Sequence, residues 1–337
     1  MMKKLLNRPE DFIPEMLDGL YAAHADQITP VYGKPTCLIK RQKKQNKVAI
    51  VTGGGSGHLP LFLGYVGDGM LDGCAVGGVF QSPSADDMLS VTRAVEAGKG
   101  VLYILGNYNG DKYNFKMAGE MADMEYDIET ASVIVCDDVA SGPLAEPGQT
   151  GIRRGVAGIF YVYKCAGAAA EEGMGLTEVA NIARRTANNV RTMGVALSPC
   201  TVPRVGKPSF TIAQDEMELG MGIHGEPGIK RCKILTASEV VDEIMDKILP
   251  DLPFQKGDEV SVLVNGLGAT PLEEQYLVYG LVSRRLEDAG IHVHRVYVGE
   301  FATSLEMAGL SISVCKLDEE LKRLLDKPAN TPFFKQF

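Results

Sequence analysis

The chain contains no long hydrophobic run. None of the apolar stretches in its 337 residues reaches the ~18 residues that a membrane-spanning helix needs. A signal-peptide core is missing as well, because Arg8, Glu10 and Asp11 interrupt the apolar residues near the N-terminus. The sequence therefore predicts neither a spanning helix nor a secretory leader, and we expect a cytoplasmic location.

The cysteines are not arranged in pairs. Seven are scattered through the chain without a CxxC spacing, and most lie in apolar runs such as residues 132–136. A metal cluster needs closer and repeated spacing of its ligands. We predict buried, reduced thiols, as in a cytosolic protein, and no metal site.

An excess of positive charge is also lacking. The formal net charge is -9, which argues against a nucleic-acid surface and against binding to an anionic membrane. This charge would not deter a neutral small molecule. Hydrophobic residues make up 45% of the chain and charged residues 23%, which is ordinary for a globular protein long enough to form two domains.

The most informative stretch that is present is GMGIHGEPG, residues 220–228, which carries His224. Neither a helix nor a strand tolerates this density of glycine, so we predict a tight, ordered loop. The glycines on both sides of His224 let another backbone or a small molecule come close. Taken alone, the spacing favours an ordinary histidine in a surface loop.

Two further polar loops follow strand-like runs. GGGSGH, which ends at His58, directly follows one apolar run, and GNYNGD, which ends at Asp111, follows another. Because parallel strands end at one edge of a sheet, polar loops at strand ends tend to form a common site. We therefore expect His58, Asp111 and His224 to lie together.

The GGGSGH loop could also be a phosphate cradle at the start of a helix. It has neither the Lys-Ser/Thr pair of a P-loop nor a GxGxxG fingerprint. Pro60 also limits a helix immediately after His58. We favour a loop whose backbone NH groups meet the oxygens of a small neutral ligand.

Strand-like, loop and helical segments alternate along the chain, which is the α/β signature. We predict two α/β domains with mixed, largely parallel sheets flanked by helices. The N-terminal domain (1–193) carries the GGGSGH and NYNGD loops, and the C-terminal domain (194–337) carries the His224 loop. Helices are predicted at 9–22, 84–98, 114–126, 155–171, 177–193, 237–248 and 271–288. Strands are predicted at 47–52, 100–105, 132–136, 259–265 and 291–298, and a loop rich in glycine and proline at 140–152.

Other polar residues allow more than one interpretation. Asp137 and Asp138 follow a predicted strand and are either a metal site or a solvated strand end. His292 and His294 alternate along another strand and so share one face, where structural or solvent-facing roles are favoured.

Five motifs together resemble a known family. They are GGGSGH, NYxGDxxNF, TVPxxGKPSFT, EMExGxGIHGEPG and NxLGATP, and the resemblance runs from about residue 2 to residue 334. The chain is similar to the dihydroxyacetone-binding K subunits of dihydroxyacetone kinases. The long string that contains HGEPG is highly specific, whereas GGGSGH alone would not be.

The resemblance implies a phosphotransferase subunit that holds dihydroxyacetone during phosphoryl transfer to one of its hydroxyls. It implies that the imidazole of His224 adds to the ketose carbonyl and forms a hemiaminal. His58 and Asp111 match the family's acid/base pair. The same resemblance implies further contacts to the substrate from Gly55, Ser56, Gly57 and Gly106.

Partners are implied as well. The chain shows no ATP-binding motif and has no room for a separate helical nucleotide domain, so ATP or ADP with Mg²⁺ is expected on a partner L subunit. A phosphotransferase-system M subunit is expected to rephosphorylate that nucleotide. The family's K subunit is a homodimer, which we also expect here. No direct nucleic-acid partner and no membrane partner are expected.

The sequence departs from the family around the site. Leu59 stands where the family usually has Glu, Gly106 where it usually has Lys, and GGVFQSP at 77–83 replaces a GEIFTSP-like string. Two alternatives therefore stay open. One is a kinase subunit for a four-carbon ketose. The other is a catalytically weak, dihydroxyacetone-sensing transcriptional coactivator.

Overall fold

The computed structural model describes residues 3–144 and 151–337. Within these ranges the chain forms two six-stranded sheets and a two-stranded ribbon. The helices are α1 (Phe12–Ala23), α2 (Ala85–Val95), α3 (Asn109–Tyr126), α4 (Ile159–Glu171), α5 (Leu176–Asn188), α6 (Ala237–Asp251), α7 (Leu272–Asp288) and α8 (Glu319–Leu325). The strands are β1 (Ile28–Val31), β2 (Lys34–Lys40), β3 (Lys47–Ser56), β4 (Gly73–Val79), β5 (Gly98–Gly106), β6 (Thr130–Val135), β7 (Val190–Ser198), β8 (Glu216–Leu219), β9 (Lys230–Lys233), β10 (Glu259–Gly266), β11 (His292–Glu300), β12 (Ala308–Leu317), β13 (Ala329–Asn330) and β14 (Lys335–Gln336).

The first sheet has the order β1-β2-β4-β3-β5-β6. Strands β4, β3, β5 and β6 run parallel, and β1 and β2 add an antiparallel hairpin at one edge. Strand β3 is buried along its whole length, as its β-branched apolar sequence predicts for a parallel strand covered on both faces. Ile50 packs in the apolar cluster of α4, whereas Val51 packs in that of α2 and α3, because alternate residues face opposite sides.

The second sheet has the order β11-β10-β12-β7-β8-β9. Strands β10 and β11 are parallel, and the other neighbouring pairs are antiparallel. Helices α6 and α7 pack against it through an apolar cluster that includes Val241, Val264 and Val282. The predicted α/β class, with mixed sheets flanked by helices, is confirmed, and its parallel pairs are concentrated in the first sheet.

Helix α4 lies between the two sheets. Its residues from Ile159 to Ala170 are all buried. The hydroxyl of Tyr163 lies 2.7 Å from Oγ1 of Thr52 on β3, and the hydroxyl of Tyr161 donates to Oγ of Ser261 on β10 at 3.0 Å. Buried hydroxyls need such partners, and these two connect one helix to both sheets.

The transition from α5 to β7 differs from the prediction. The helix predicted to reach Met193 ends at Asn188, and residues 190–193 instead pair with β12 in the second sheet. The apolar and β-branched residues of this segment suit a buried strand. A domain boundary between residues 193 and 194 would therefore cut β7. One hydrophobic cluster also joins both halves, since it contains Leu17, Leu263 and Leu325.

Residues 145–150 of the loop predicted at 140–152 lie outside the described ranges. Among the described residues, no helix combines the length and the hydropathy needed to cross a membrane.

Candidate active site

The GGGS part of the first motif is the end of a strand, although we predicted a loop. Residues 53–56 continue β3 and pair in parallel with β4. Glycine is needed here because neighbouring groups fill the side-chain space; a Cβ on Gly54 would lie 2.2 Å from Cζ of Phe62. The chain turns away at Gly57, whose φ of +102° favours glycine. His58 therefore stands at the carboxyl end of the parallel strands.

His58 is buried and is held through its Nδ1 atom. Nδ1 lies 2.7 Å from the carbonyl oxygen of Thr303, and since a carbonyl can only accept, Nδ1 carries the proton. Nε2 is buried without a hydrogen-bond partner among the described residues. Burial, and next the charge of His224, lower the pKa of His58 to about 3. The ring is therefore neutral at pH 7 and keeps a free lone pair on Nε2.

The loop after β11 fixes this turn from the side of the second sheet. The backbone nitrogen of Thr303 donates to the carbonyl of His58 at 3.2 Å, and that of Leu305 donates to the carbonyl of Gly57 at 2.9 Å. The hydroxyl of Thr303 also donates to the carbonyl of Leu59 at 2.9 Å. The position of His58 thus depends on both halves of the chain.

Asp111 lies in the first turn of α3, which begins at Asn109 and not at Asn114 as predicted. A helix N-terminus favours negative charge at this position. The side chain is buried, and its Oδ1 has no hydrogen-bond partner in the described part of the chain. Burial raises the pKa of Asp111 to about 6, against the lowering effects of the Ser82 hydroxyl and the charge of His224. The carboxylate is thus ionised at pH 7, but by a narrow margin.

The segment 220–228 is a loop between β8 and β9, as predicted. Nδ1 of His224 lies 2.8 Å from Oε1 of Glu226, and the backbone nitrogen of His224 donates to Oε2 at 3.0 Å. Burial acts to raise the pKa of Glu226, but the hydrogen bond and charge of His224 lower it to about 2. Because this ionised carboxylate can only accept, Nδ1 of His224 carries a proton, and in the neutral form of the ring the lone pair is on Nε2.

The three predicted residues converge between the two sheets. The ring centroids of His58 and His224 lie 4.7 Å apart, with an interplanar angle of 78°. The ring of Tyr108 lies 4.7 Å from that of His224, and Phe80 stacks on His58 at 4.9 Å. Asp111 lies in the first turn of α3, three residues after Tyr108, and the charge of His224 acts to lower its pKa. The site therefore combines two imidazoles whose Nε2 atoms accept no hydrogen bond from the described residues, one carboxylate and two aromatic walls.

The other residues predicted to bind substrate shape the walls of this site. A Cβ on Gly55 would lie 2.7 Å from Cα of Phe80. The hydroxyl of Ser56 donates to the carbonyl of Gly77 at 2.8 Å, which joins the ends of β3 and β4. Gly106 ends β5 and leaves room for the ring of Tyr108, since a Cβ there would lie 3.0 Å from Cε2 of that ring.

A comparison with known protein families identifies the family of this chain. Residues 18–333 match the Dak1 domain. The chain belongs to the Dak1 family. This Dak1 chain is 44% identical over 335 residues to the PTS-dependent dihydroxyacetone kinase 2, dihydroxyacetone-binding subunit DhaK, of Listeria innocua, with 99% of each chain covered. It is 45% identical over 336 residues to the D-erythrulose kinase of Mycolicibacterium smegmatis, and the matched region covers 99% of this chain and 57% of that relative.

Solved structures of similar proteins have the same fold. The dihydroxyacetone kinase operon co-activator Dha-DhaQ superposes with a TM-score of 0.88 at 33% identity, covering 96% of this Dak1 chain and 98% of that one. The dihydroxyacetone kinase from C. freundii in complex with AMP-PNP and Mg²⁺ gives a TM-score of 0.87 at 30% identity, covering 100% of this chain and 61% of that one. Both a kinase and a co-activator therefore share this architecture.

The hydrogen-bond acceptors of the two histidines in this Dak1 site are not predicted by the sequence analysis. Glu226 lies inside the HGEPG string, and a carboxylate two residues from a histidine was an available signal. Thr303 is 245 residues from His58 along the chain and acts through its backbone carbonyl. No sequence pattern indicates such a contact.

Asp137 and Asp138 are buried, so the interpretation as a solvated strand end is wrong. The carboxylate of Asp137 accepts hydrogen bonds at 2.8 Å from the backbone nitrogens of Val156 and Gly158, just before α4. Asp138 pairs with Arg154. Within the described ranges, no cluster of three or more His, Cys, Asp or Glu residues is arranged to hold a metal ion.

Proposed function

We propose that this chain is the dihydroxyacetone-binding subunit of a multisubunit dihydroxyacetone kinase that depends on the phosphotransferase system. The observation that carries the proposal is the pair of imidazoles, each held through Nδ1 and with ring centroids 4.7 Å apart, so that neither Nε2 atom is used for a contact within residues 3–144 and 151–337. The 44% identity to the L. innocua DhaK subunit over 99% of both chains supports a small ketose as the ligand.

Covalent capture suits this ligand, because a small neutral molecule offers few noncovalent contacts. Even the best tiny ligands gain only about 1.5 kcal/mol per heavy atom. In the proposed reaction Nε2 of His224 forms a bond to the carbonyl carbon, and the π pair of the C=O bond moves to the oxygen. The oxygen gains a proton and Nδ1 loses one, so the product is a neutral hemiaminal. Glycerol has no carbonyl and cannot form this product.

The held ketose then presents a terminal hydroxyl for phosphoryl transfer. We assign Asp111 as the group that accepts the hydroxyl proton, with His58 relaying it. Oδ1 of Asp111 and Nε2 of His58 have no hydrogen-bond partner among the described residues, and both can accept from the O–H donor of a sugar. A pKa of about 6 leaves Asp111 ionised at pH 7 and still basic enough to take a proton. The wall residues proposed to contact the ligand oxygens are Gly55, Ser56, Gly57 and Gly106.

The phosphoryl donor belongs to a partner in this proposal. Transfer needs a nucleotide with Mg²⁺ placed in line with the accepting hydroxyl, and we assign both to an L subunit that an M subunit rephosphorylates. The phosphotransferase dependence named for the L. innocua relative supports this arrangement. The kinase structure from C. freundii that contains AMP-PNP and Mg²⁺ supports the nature of the donor. We further propose that the chain acts as a homodimer, as its resemblance to the K subunits implies.

A four-carbon ketose is the second candidate substrate. The family's usual lysine is replaced by Gly106, and a side chain at this position would displace the ring of Tyr108 that packs on His224. The wall beside the nucleophile therefore differs from the family pattern. The 45% identity to D-erythrulose kinase supports this alternative. The co-activator alternative, supported by the Dha-DhaQ match, keeps ketose binding but not phosphoryl transfer.

Reconstitution tests these alternatives directly. The chain is combined with an L subunit, an M subunit and the phosphotransferase donor system, and phosphorylation of dihydroxyacetone and of erythrulose is measured in parallel. Faster turnover of dihydroxyacetone supports the main proposal, and a higher kcat/KM for erythrulose supports the second. Adduct formation with either sugar but no turnover would overturn the proposal of a kinase subunit and favour the co-activator alternative.

A further inference from the structure

Glu226 folds back onto the proposed nucleophile. One carboxylate oxygen accepts from Nδ1 of His224 at 2.8 Å and the other accepts from the backbone nitrogen of the same residue at 3.0 Å. Gly225 separates the two residues with a φ of +82°, which lets the chain reverse over so short a distance. The carboxylate is therefore fixed relative to both the ring and the backbone of His224.

A largely buried arginine holds this carboxylate in place. Nη1 of Arg154 lies 4.0 Å from Oε2 of Glu226. The same guanidinium donates from Nε to Asp138 at 2.8 Å and from Nη2 to the carbonyl of Gly220 at 2.9 Å. Arg154 thus connects the end of the first sheet to both ends of the His224 loop, and it is itself fixed by a carboxylate on the opposite side.

Gly222 leaves the space that these two side chains occupy. A Cβ at this position would lie 2.2 Å from Oε2 of Glu226 and 2.6 Å from Nη1 of Arg154. Both contacts are far closer than van der Waals distance, so one of the charged groups would have to move. The glycine of the GMGIHGEPG string is thus required by the position of the carboxylate.

We propose that Glu226 is a positioning residue for ketose capture and acts through His224. It has two effects: it places the proton on Nδ1, so that the lone pair lies on Nε2, and it stabilises the positive charge of the imidazole ring as Nε2 bonds to the carbonyl carbon. Arg154, anchored on Asp138, keeps the carboxylate in register. This assignment rests on the proposed covalent capture for its second effect but not for its first.

The charge of the group that accepts from Nδ1 explains why we assign ketose capture to His224 and not to His58. Attack by Nε2 gives the ring a full positive charge until Nδ1 releases its proton. At His224 that charge forms 2.8 Å from a carboxylate. At His58 it would form in a buried environment opposite a neutral carbonyl, where an unpaired charge is strongly disfavoured.

The tautomer is tested in the ligand-free protein by ¹⁵N NMR of histidine side chains. We expect the wild type to give a protonated Nδ1 and an unprotonated Nε2 for His224. Glu226→Gln keeps an acceptor at the same place and should retain this pattern. Glu226→Ala and Gly222→Ala, which remove or displace the acceptor, should shift the proton toward Nε2. A wild-type ring with the proton on Nε2, or a pattern unchanged in Glu226→Ala, would overturn the positioning role.

The charge is tested by ketose capture, measured by intact mass and by titration with dihydroxyacetone. The Glu226→Gln variant loses a charge-assisted hydrogen bond, so its affinity for the ketose should fall about 10- to 100-fold. The affinity of Glu226→Ala should fall at least as much. Glu243→Gln, which removes an exposed carboxylate paired with Lys230, serves as the matched control. Capture by Glu226→Gln within twofold of the control would overturn the charge effect. A wild type that forms no adduct, yet shows the expected tautomer, would instead reject covalent capture and leave the tautomer assignment standing.

Discussion

His58 and His224 share one site and one tautomer, but their surroundings differ. Each ring donates from Nδ1, the first to the neutral carbonyl of Thr303 and the second to the charged carboxylate of Glu226. His58 is 1% exposed, whereas the side chain of His224 is 22% exposed. The first ring stands on the end of a buried parallel strand and the second on a glycine-rich loop.

From this difference in surroundings we propose a separate task for each ring. A buried imidazole without a counter-charge stays neutral, as the lowered pKa of His58 indicates, and so suits the relay of a proton from a ligand hydroxyl. A partly exposed imidazole beside a carboxylate can carry the charge that carbon–nitrogen bond formation requires, and a ligand can reach it. We therefore propose that the same kind of side chain serves two chemical roles in this site, and that the neighbouring acceptor decides which role each ring takes.

Removal of the nucleophile should have the largest effect. His224→Ala cannot form the carbon–nitrogen bond, so we expect complete loss of the ketose adduct by intact mass spectrometry under native conditions. His292→Ala, a change at an exposed histidine on β11, should form the adduct like the wild type. An adduct of equal abundance in His224→Ala would show that another residue binds the carbonyl.

Removal of the relay should reduce turnover and spare capture. We expect His58→Asn to keep the adduct but to lower kcat in the reconstituted kinase by about 10²- to 10⁴-fold, the usual contribution of a general acid or base. Adduct abundance and kcat are measured on the same preparation. If kcat stays within about threefold of the wild type, or if the adduct disappears together with turnover, the division of tasks between the rings is wrong.

Asp111 should lower stability at neutral pH, because its pKa is raised from 3.8 to about 6 by burial. The protonated carboxyl is favoured by the folded state, and this stabilising contribution is fully present below pH 3.8 and is lost as pH rises through about 6. Asp111→Asn cannot ionise, so it should increase the free energy of unfolding at pH 7 by as much as about 3 kcal/mol and reduce kcat at the same time. Urea titrations at pH 7 and pH 4 check this expectation, since the difference between variant and wild type should shrink at the lower pH. A variant less stable than the wild type at pH 7 would contradict it.

The wall at Gly106 should give the smallest effect. Gly106→Ala places a methyl group 3.0 Å from the ring of Tyr108, so the ring must shift beside His224. Overpacking of this size costs roughly 1–3 kcal/mol, and we expect a severalfold change in the ratio of kcat/KM for erythrulose to that for dihydroxyacetone. Competition between the two sugars in one reaction measures this ratio. An unchanged ratio would show that Gly106 and Tyr108 do not affect substrate length.

The α/β class and the convergence of His58, Asp111 and His224 could be predicted from sequence, because apolar runs that end in polar residues define strand ends. The local form of two motifs could not. Residues 53–56 extend β3 because Phe62 and other distant groups fill the space that side chains would need. Asp111 belongs to a helix that begins five residues earlier than its apolar pattern indicates.

The second sheet was harder to predict than the first. Strands β8 and β9 have only four residues each, and β7 follows α5 so closely that its first residues extend the helical pattern. Strand β12 pairs with β10 and β7, yet its sequence carries no motif that singles it out. The contact between His58 and Thr303 arises only from this tertiary arrangement. Short strands and long-range backbone contacts leave little trace in a sequence.

A crystal structure of the protein soaked with dihydroxyacetone tests covalent capture most directly. We expect continuous electron density from Nε2 of His224 to the central carbon of the sugar, with a terminal hydroxyl within hydrogen-bond distance of Asp111 and His58. A sugar bound without a bond to His224, or attached through Nδ1, would contradict the roles assigned to the two rings.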